Sequence, residues 1–522
     1  MADTKREIER KYEATAATRL PDLTRVPGVD AVVPRGVTEL DAVYYDTAGL
    51  RLAADSLTLR RRTGGADEGW HLKFPVASGI RDEIHEPLSD TVPHALAALL
   101  RSRVRDAPLA PVVRLLSSRD VYHLTAADGA LLAEASVDTV LAERLAGDPS
   151  AATAAWTEIE VELADGGDPA FLDAVERRLD EAGVRPARSA SKLARALADT
   201  APEGGRKGSG RKGGRKDSTG KRGKEEAAAT AGDHVMAYVR DQIHTVVALD
   251  PAVRRDLPDS VHAMRVATRR LRSAFKTYRR ILDRSVTDPV GEELKWLAAE
   301  LGVDRDQEVL DQRLGSRTDA LPATLVLGPV RGRLQAWSAA RRTGSRARTV
   351  ALLDQDRYLA LLDALDALSV DPPLRPAARR APGRALPRAV LKDYDRLARR
   401  VEHALARPQG PERDAAMHEA RKAAKRARYA ADAARPALGP PAKRFAKRMK
   451  AVQSLLGDHQ DSVVAREALR TLAVQSHAAG ESAFTWGLLY GREEAAAEAR
   501  ERELPQVWDR ARAPELRADL KG

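Results

Sequence analysis

Residues 205–224, GRKGSGRKGGRKDSTGKRGK, contain no side chain that can bury apolar surface. Such a run cannot join a core, so it divides the 522-residue chain into parts that fold separately. It predicts a disordered basic linker over 201–228, with one domain before it at 1–200 and another after it at 229–510. The length suits this division, because a single hydrophobic core rarely extends over so many residues. The run also explains most of the charge. It holds nine Lys/Arg against Asp217, and subtracting that +8 from the net +11 leaves about +3 over the other 502 residues. Such a tether holds polyanions without specificity. It is not a nucleotide P-loop: five residues separate Gly214 from Gly220, and Arg222 stands where that loop needs Ser or Thr.

The two sides differ in period. Before the linker, charges alternate with apolar residues. REIERKYEA (6–14) sets Glu7, Glu9 and Lys11 on one face of an extended segment, and TEIEVEL (157–163) does the same with Glu158, Glu160 and Glu162. LTLRRR (57–62) aligns Arg60 with Arg62, WHLKF (70–74) aligns His71 with Lys73, RDEIH (81–85) aligns Arg81, Glu83 and His85, and EASVD (134–138) aligns Glu134 with Asp138. These read as strands of an antiparallel sheet, with helices at 93–103 and 168–182. The alternation fits two arrangements: a sheet curled into a tunnel lined by charge, or an open sheet with one wet face. A closed charged interior is poor structural filling, because each charge needs a partner. It would suit a phosphate chain, with Arg and Lys neutralising phosphoryl oxygens and glutamates holding Mg²⁺ or Mn²⁺.

After residue 228 the chain turns to long Ala/Leu/Arg helices, interrupted by PPLRPAARRAPGRALP (372–387). It also repeats itself. HAMRVATRRLR starts at His262 and HEARKAAKRAR at His418, each with bases at +3, +7, +8 and +10. KWLAAELGVDRDQEV (295–309) matches KAVQSLLGDHQDSVV (450–464). The offsets are 156 and 155 residues, which argues for a duplicated helical unit. On a helix, His262, Arg265, Arg269 and Arg272 form one stripe beside an apolar stripe of Met264, Leu271, Phe275 and Tyr278. His418, Arg421, Lys425 and Arg428 repeat it. One such stripe is ordinarily a solvated face; its preservation in both copies points to a ligand.

Composition excludes several classes. There is no cysteine, hence no disulfide, thiolate catalysis or Cys-ligated zinc. No apolar run is long enough to span a bilayer, and the charged start lacks a signal-peptide core, so a cytoplasmic protein without a membrane partner is expected. Aromatic residues are only 4%, too few for the stacking platforms of single-strand nucleic-acid binding. No specific nucleic acid is expected as partner.

EIERK, YYDT (44–47), LRRR (59–62), EIEVEL (158–163) and SKLAR (191–195) occur in the order found in the CYTH family, the triphosphate tunnel metalloenzymes, which the first 200 residues resemble. The resemblance implies an eight-stranded antiparallel tunnel that binds triphosphates with a divalent metal. By position, Lys11, Arg60, Arg62, Lys73, Arg81, Arg119 and Lys192 would grip phosphates. Glu7, Glu9, Glu158 and Glu160 would hold Mg²⁺ or Mn²⁺ and position water, with Glu83 as a further metal ligand. His85 stands where members often have Glu, which bears on the number of metal ions. The family's activities are inorganic triphosphatase, thiamine triphosphatase and adenylate cyclase. The scarcity of aromatics favours inorganic triphosphate over a nucleoside triphosphate.

The HxxR…RRLR block, Leu301–Asp306 and KRARY (425–429) resemble the CHAD family, a conserved-histidine α-helical domain that often follows a CYTH domain, over about 229–510. Glu308 replaces an Asp common in that family's pattern. The resemblance implies two pseudo-symmetric bundles, about 229–370 and 388–510, that bind inorganic polyphosphate. His262, Arg265, Arg269, Arg270, Arg272, His418, Arg421, Lys422, Lys425, Arg426 and Arg428 would line a basic groove. The expected whole is an α+β tunnel domain with outer helices, then an all-α domain of two duplicated bundles. It would act as a triphosphatase anchored to polyphosphate and associated with polyphosphate granules. A polyphosphate-binding scaffold without turnover is the alternative.

Overall fold

The structure, a computed structural model, describes residues 3–145, 152–201, 229–342 and 344–521. From residue 202 to 228 the expected linker lies outside the described residues. The chain divides into two compact units, one on each side of that segment.

In the first unit eight strands close into an antiparallel barrel. They are β1 (Asp3–Ala14), β2 (Ala31–Asp46), β3 (Thr58–Thr63), β4 (Gly69–Ala77), β5 (Ile80–Glu86), β6 (Ala110–Thr125), β7 (Leu131–Arg144) and β8 (Thr153–Leu163), in the spatial order β1-β5-β4-β3-β2-β6-β7-β8. β1 closes the ring: its first half pairs with β5 and its second half with β8. Closure decides between the two arrangements the alternation allowed, and the charged face lines a tunnel. The register sets opposite charges side by side, Glu7 beside Arg81, Lys73 beside Glu83, Lys11 beside Glu160 and Arg119 beside Asp138.

The apolar faces point outward and need cover. The unit's helices, α1 (Arg51–Ala54), α2 (His94–Val104), α3 (Ala170–Glu181) and α4 (Lys192–Asp199), supply it. Leu172, Val175 and Leu179 of α3 pack on Tyr12, Ile159 and Val161. Leu96, Leu99 and Leu100 of α2 pack on Leu59, Trp70, Leu72 and Ile84. α4 does something different. Toward one end of the barrel the inward positions turn apolar, at Ala42, Tyr44, Val140 and Ala142, and Leu193 and Ala196 pack against them. The helix therefore plugs that end, and its first residue, Lys192, faces the charged interior.

The second unit is helical among the described residues: α5 (Ala231–Arg254), α6 (Ser260–Thr277), α7 (Arg284–Glu300), α8 (Gly302–Asp319), α9 (Val330–Arg342), α10 (Ser345–Leu353), α11 (Asp356–Val370), α12 (Pro382–Leu405), α13 (Pro411–Leu438), α14 (Pro440–Ala478), α15 (Phe484–Ala511) and α16 (Pro514–Ala518). Met264, Leu271, Phe275 and Tyr278 are all buried, as their stripe requires. One core joins α5, α6, α7, α11, α12, α13 and the first half of α14, so helices from both sides of 372–387 share it. A smaller core joins α8, α9, α15 and the second half of α14. The duplication is not exact in backbone: the 295–309 block spans the α7–α8 junction at Leu301, whereas its copy lies inside the continuous α14. No helix among the described residues is long and apolar enough to cross a membrane.

Candidate functional site

The barrel encloses a cavity of about 560 Å³. Of the expected residues, Glu7, Glu9, Lys11, Arg60, Arg62, Lys73, Arg81, Arg119, Glu160 and Lys192 line it. Glu83 and Glu158 stand behind this lining, 8% and 3% exposed. Two linked clusters result. In one, Lys73 Nζ is 2.5 Å from Glu7 and 3.6 Å from Glu83, while His71 Nδ1 is 2.7 Å and Arg60 3.8 Å from Glu83. In the other, Lys192 Nζ reaches Asp138 and Glu158 at 2.8 Å and Glu160 at 2.5 Å. Arg119 forks onto Asp138 at 2.8 and 2.7 Å and reaches Glu160 at 2.7 Å. Lys11 pairs with Glu160 and, at 2.9 Å, with Glu9, whose carboxylate also feels Lys73 of the first cluster.

SKLAR is now explained residue by residue. Ser191 caps α4 by accepting from the Ala194 amide, which aims Lys192 at three acids. Leu193 forms part of the plug, and Arg195 lies 4.9 Å over the Trp156 ring. The Trp156 indole donates to Glu158 at 2.6 Å and fixes that carboxylate from below. Arg62 turns toward Asp67. His85 does not reach the cavity lining; its Nε2 lies 3.2 Å from the Glu68 carbonyl.

Burial works against ionisation of Glu7, Glu9, Asp138 and Glu160, and the neighbours decide the outcome. Burial pushes Glu7 up to about 7, because Lys73 only partly offsets it and Glu83 opposes ionisation. For Glu9, Asp138 and Glu160 burial is outweighed by Lys11 (Glu9), by Lys192 and Arg119 (Asp138), and by all three (Glu160), so these acids are held below their ordinary values. Glu7 and Glu83 both face the Lys73 ammonium, at 2.5 and 3.6 Å. Asp138, Glu158 and Glu160 offer oxygens within 4.8 Å of one another, the hard-donor set that divalent cations prefer. A second cluster, Asp414, His459 and Glu501, is already neutralised by Arg466 at 2.8 Å and Arg413 at 3.2 Å.

Asp138 was missed as a site residue, although its charged strand face was legible. Tyr44 was missed too: it lines the cavity, 4% exposed, and Arg60 outweighs burial to hold its phenol below the ordinary value.

The second unit carries a basic groove of about 1040 Å³. Arg269, Arg272, His418, Lys422, Lys425 and Arg426 line it. His262, Arg265, Arg270, Arg421 and Arg428 lie outside that lining. Arg265 is turned to Asp306 at 3.1 Å and Arg421 to Asp461 at 3.6 Å, while Arg270 and Arg428 approach the Tyr429 ring at 5.8 and 5.7 Å. The opposite wall is α12, with Arg396, Arg399, Arg400 and His403. None of these four was expected from the sequence; packing of α12 beside α13 brings them to the groove. Burial together with Arg421 and Arg269 lowers Lys425 to about 8. Burial and Lys422 lower His418 below its ordinary value.

A closed barrel with a charged, one-end-plugged cavity defines a triphosphate tunnel protein, here joined to a helical domain. The chain belongs to the CYTH–CHAD proteins: residues 5–197 match the CYTH domain and 237–470 the CHAD domain. Uncharacterized proteins from two strains of Mycobacterium tuberculosis are 39% identical over 513 residues, covering 94% of this chain and 93% of theirs. Among solved structures, PptA from Streptomyces chartreusis is similar at 23% identity and TM-score 0.46, over 54% of this chain and 99% of that one. The CHAD domain from the plant Ricinus communis is similar at 24% and 0.38, over 56% and 92%.

Proposed function

We propose that the first unit is a metal-dependent inorganic triphosphatase and that the second binds inorganic polyphosphate. One observation carries the first half: nine Lys/Arg side chains and five glutamates line one cavity, with Asp138, Glu158 and Glu83 behind them. Acids and bases are nearly balanced there, so a highly charged triphosphate enters favourably only with a cation that joins the acids. Glu7, Glu9 and Glu160, backed by Asp138 and Glu158, are oxygen donors that fit Mg²⁺ or Mn²⁺. When bound, such an ion supplies Lewis-acid neutralisation of the phosphoryl oxygens.

The chain's own groups do the rest. Lys11, Lys73, Arg60 and Arg119 neutralise phosphate oxygens and the charge that grows on the departing phosphate. Lys192 and Arg119 arrive pre-aligned by Asp138. Glu7, raised to about 7 by burial, would hold a cation through its ionised form. No nucleophile–histidine pair is needed, because water positioned by a carboxylate can attack directly.

For the second half, the groove concentrates cations from α6, α12 and α13, and the Tyr429 ring in its lining is only 6% exposed, too buried to stack on a base, which suits a linear polyanion. Residence at polyphosphate granules in the cytoplasm would follow. A scaffold without turnover is the second reading. Its support is Lys192, whose ammonium sits among the three acids that would otherwise meet a cation.

The test is phosphate release from inorganic triphosphate, ATP and thiamine triphosphate with Mg²⁺ or Mn²⁺, compared with a Glu7→Gln/Glu9→Gln variant. Release from triphosphate that vanishes in the variant supports the hydrolase. Pyrophosphate with cyclic AMP from ATP would mark a cyclase, and no turnover by folded protein would leave the scaffold.

A further inference from the structure

The turn joining β3 to β4 gives Gly65, Ala66 and Asp67 to the lining of the tunnel. Gly64 and Gly65 both have a φ of +82°, a conformation that suits glycine, and a Cβ at Gly64 would strike the Glu39 carbonyl. The turn therefore lies close against β2, on the side away from the plug at Ala42 and Tyr44. Two histidines fix its far end. A carbonyl can only accept, so His71 Nε2 donates to the Asp67 carbonyl at 2.9 Å and His85 Nε2 to the Glu68 carbonyl at 3.2 Å. The other ring nitrogen of His71 meets Glu83 at 2.7 Å, which ties the turn to an acid behind the lining.

Held in this way, Asp67 meets Arg62. Arg62 Nη2 pairs with the Asp67 carboxylate and donates to the Asp67 carbonyl at 3.2 Å. Asp67 is its one carboxylate partner among the described residues, whereas Lys11, Lys73, Arg119 and Lys192 are held by acids on the strands. The pair is lopsided, because the Arg62 side chain is 6% exposed and that of Asp67 is 64% exposed. Arg62 Nε is buried with no hydrogen-bond partner. Burial and Arg60 lower the guanidinium to about 10, and Asp67 offsets only part of this. When Asp67 swings outward its carboxylate rehydrates at little cost, but Arg62 stays buried and uncompensated. An exchange of partners at Arg62 therefore requires an anion within the tunnel.

We propose that Asp67 holds on Arg62 the place of a phosphate group, that a triphosphate engages Arg62 only by displacing this carboxylate, and that Asp67 thereby sets the tunnel's affinity for its substrate. The proposal deepens the triphosphate reading above and rests on it. The exchange runs toward the ligand because a terminal phosphate carries more charge and more acceptor oxygens than a carboxylate. It runs back as product leaves, so the same contact opposes retention of a cleaved phosphate.

The test titrates full-length protein, in Mg²⁺, with a triphosphate analogue whose bridging oxygens are replaced by methylene groups. Calorimetry compares wild type, Asp67→Asn, Arg62→Ala and the double variant. The helical groove is the same in all four. Asp67→Asn, which is isosteric and largely exposed, should bind the analogue about fivefold more tightly, the scale of an ion pair exposed on one side. In the Arg62→Ala background the same change should gain less than about twofold, because no buried partner is freed. A gain of equal size in both backgrounds would reduce Asp67 to a general repulsive charge. Unchanged or weaker binding by Asp67→Asn would make it a support of Arg62. Either result overturns the proposal and leaves the triphosphatase standing. Failure of wild type both to bind the analogue and to release phosphate from triphosphate would instead overturn the functional reading, and the proposal with it.

Discussion

Lys192 Nζ stands 2.8 Å from Asp138, a carboxylate with no exposed surface. The same carboxylate holds both arms of Arg119. Two cations, one on the plug helix and one on β6, are therefore aligned by a single acid on β7. Both cations continue to Glu160, which lies in the lining. Asp138 is thus a positioning residue, acting through the groups that would touch phosphate.

Replacing it by Asn keeps its shape and removes the charge that holds those cations. Asp138→Asn should lower kcat/KM for triphosphate by about 2 kcal/mol, roughly thirtyfold, the worth of a charge-assisted hydrogen bond. It should also reduce stability by about 3 kcal/mol, because two buried cations lose their common partner. Steady-state kinetics and urea unfolding check both numbers. Unchanged kinetics in a destabilised protein would reduce Asp138 to a structural role.

Function should separate by unit. Glu7→Gln with Glu9→Gln should abolish metal-dependent phosphate release and leave polyphosphate affinity intact. Arg399→Ala with Arg400→Ala, on the α12 wall, should do the reverse and weaken polyphosphate binding by about tenfold at low salt. Measuring both activities on both variants decides the matter, and parallel loss of both in either variant would defeat the two-module reading.

Much of this site was legible because charge alternating with Ile, Val or Leu is unusual enough to expose an inward face, as in Glu158, Glu160 and Glu162. The two longest strands, β2 and β6, were not read as strands. β2 carries Pro34 and Gly36 at a register shift, and β6 mixes Arg, Ser and Leu on both faces, so neither shows a clean period of two. Lys192 emerged only from the motif's resemblance, since one lysine at a helix start signals nothing by itself. The asymmetry of the basic groove had no signal either. Matched stripes suggested a symmetric site, but side-chain pairing with Asp306 and Asp461 draws Arg265 and Arg421 out of the lining. Such pairing depends on where α8 and α14 lie, and that is a tertiary fact.

Lys425 gives a pH signature. Its pKa in the free protein is about 8, against 10.5 for the ordinary side chain. Between these values the unfolded chain holds a proton that the folded one has released, so this group's contribution to stability rises with pH across about 8 to 10.5. A polyanion reverses the balance by restoring the charge. Polyphosphate binding at pH 8 should therefore take up protons, measurable by calorimetry in buffers of different ionisation enthalpy, and Lys425→Met should remove that uptake. Equal uptake in the variant would place the proton elsewhere, with His418 as the next group to test.

The duplicated glycines make a sharper structural prediction. Gly457, inside α14, faces Arg421, and an added methyl would meet its Nη2 at 3.5 Å, an ordinary contact. Gly457→Ala should therefore stabilise the protein by about 1 kcal/mol through helix propensity. At Gly302 the same methyl would meet Arg265 Nη2 at 3.0 Å, so the guanidinium must yield. That guanidinium bonds Asp306 at 3.1 and 3.3 Å and the Gly302 carbonyl at 3.3 Å. Moving it weakens a pair that is partly exposed on the Asp306 side, which costs about 0.5 kcal/mol. Gly302→Ala should accordingly gain less than Gly457→Ala, and the deficit should disappear in an Arg265→Ala background, where no guanidinium has to move. The double-mutant cycle isolates this coupling from the different helix positions of the two glycines. A Gly302→Ala effect that is the same in both backgrounds would show that the Arg265–Asp306 pair does not constrain this junction.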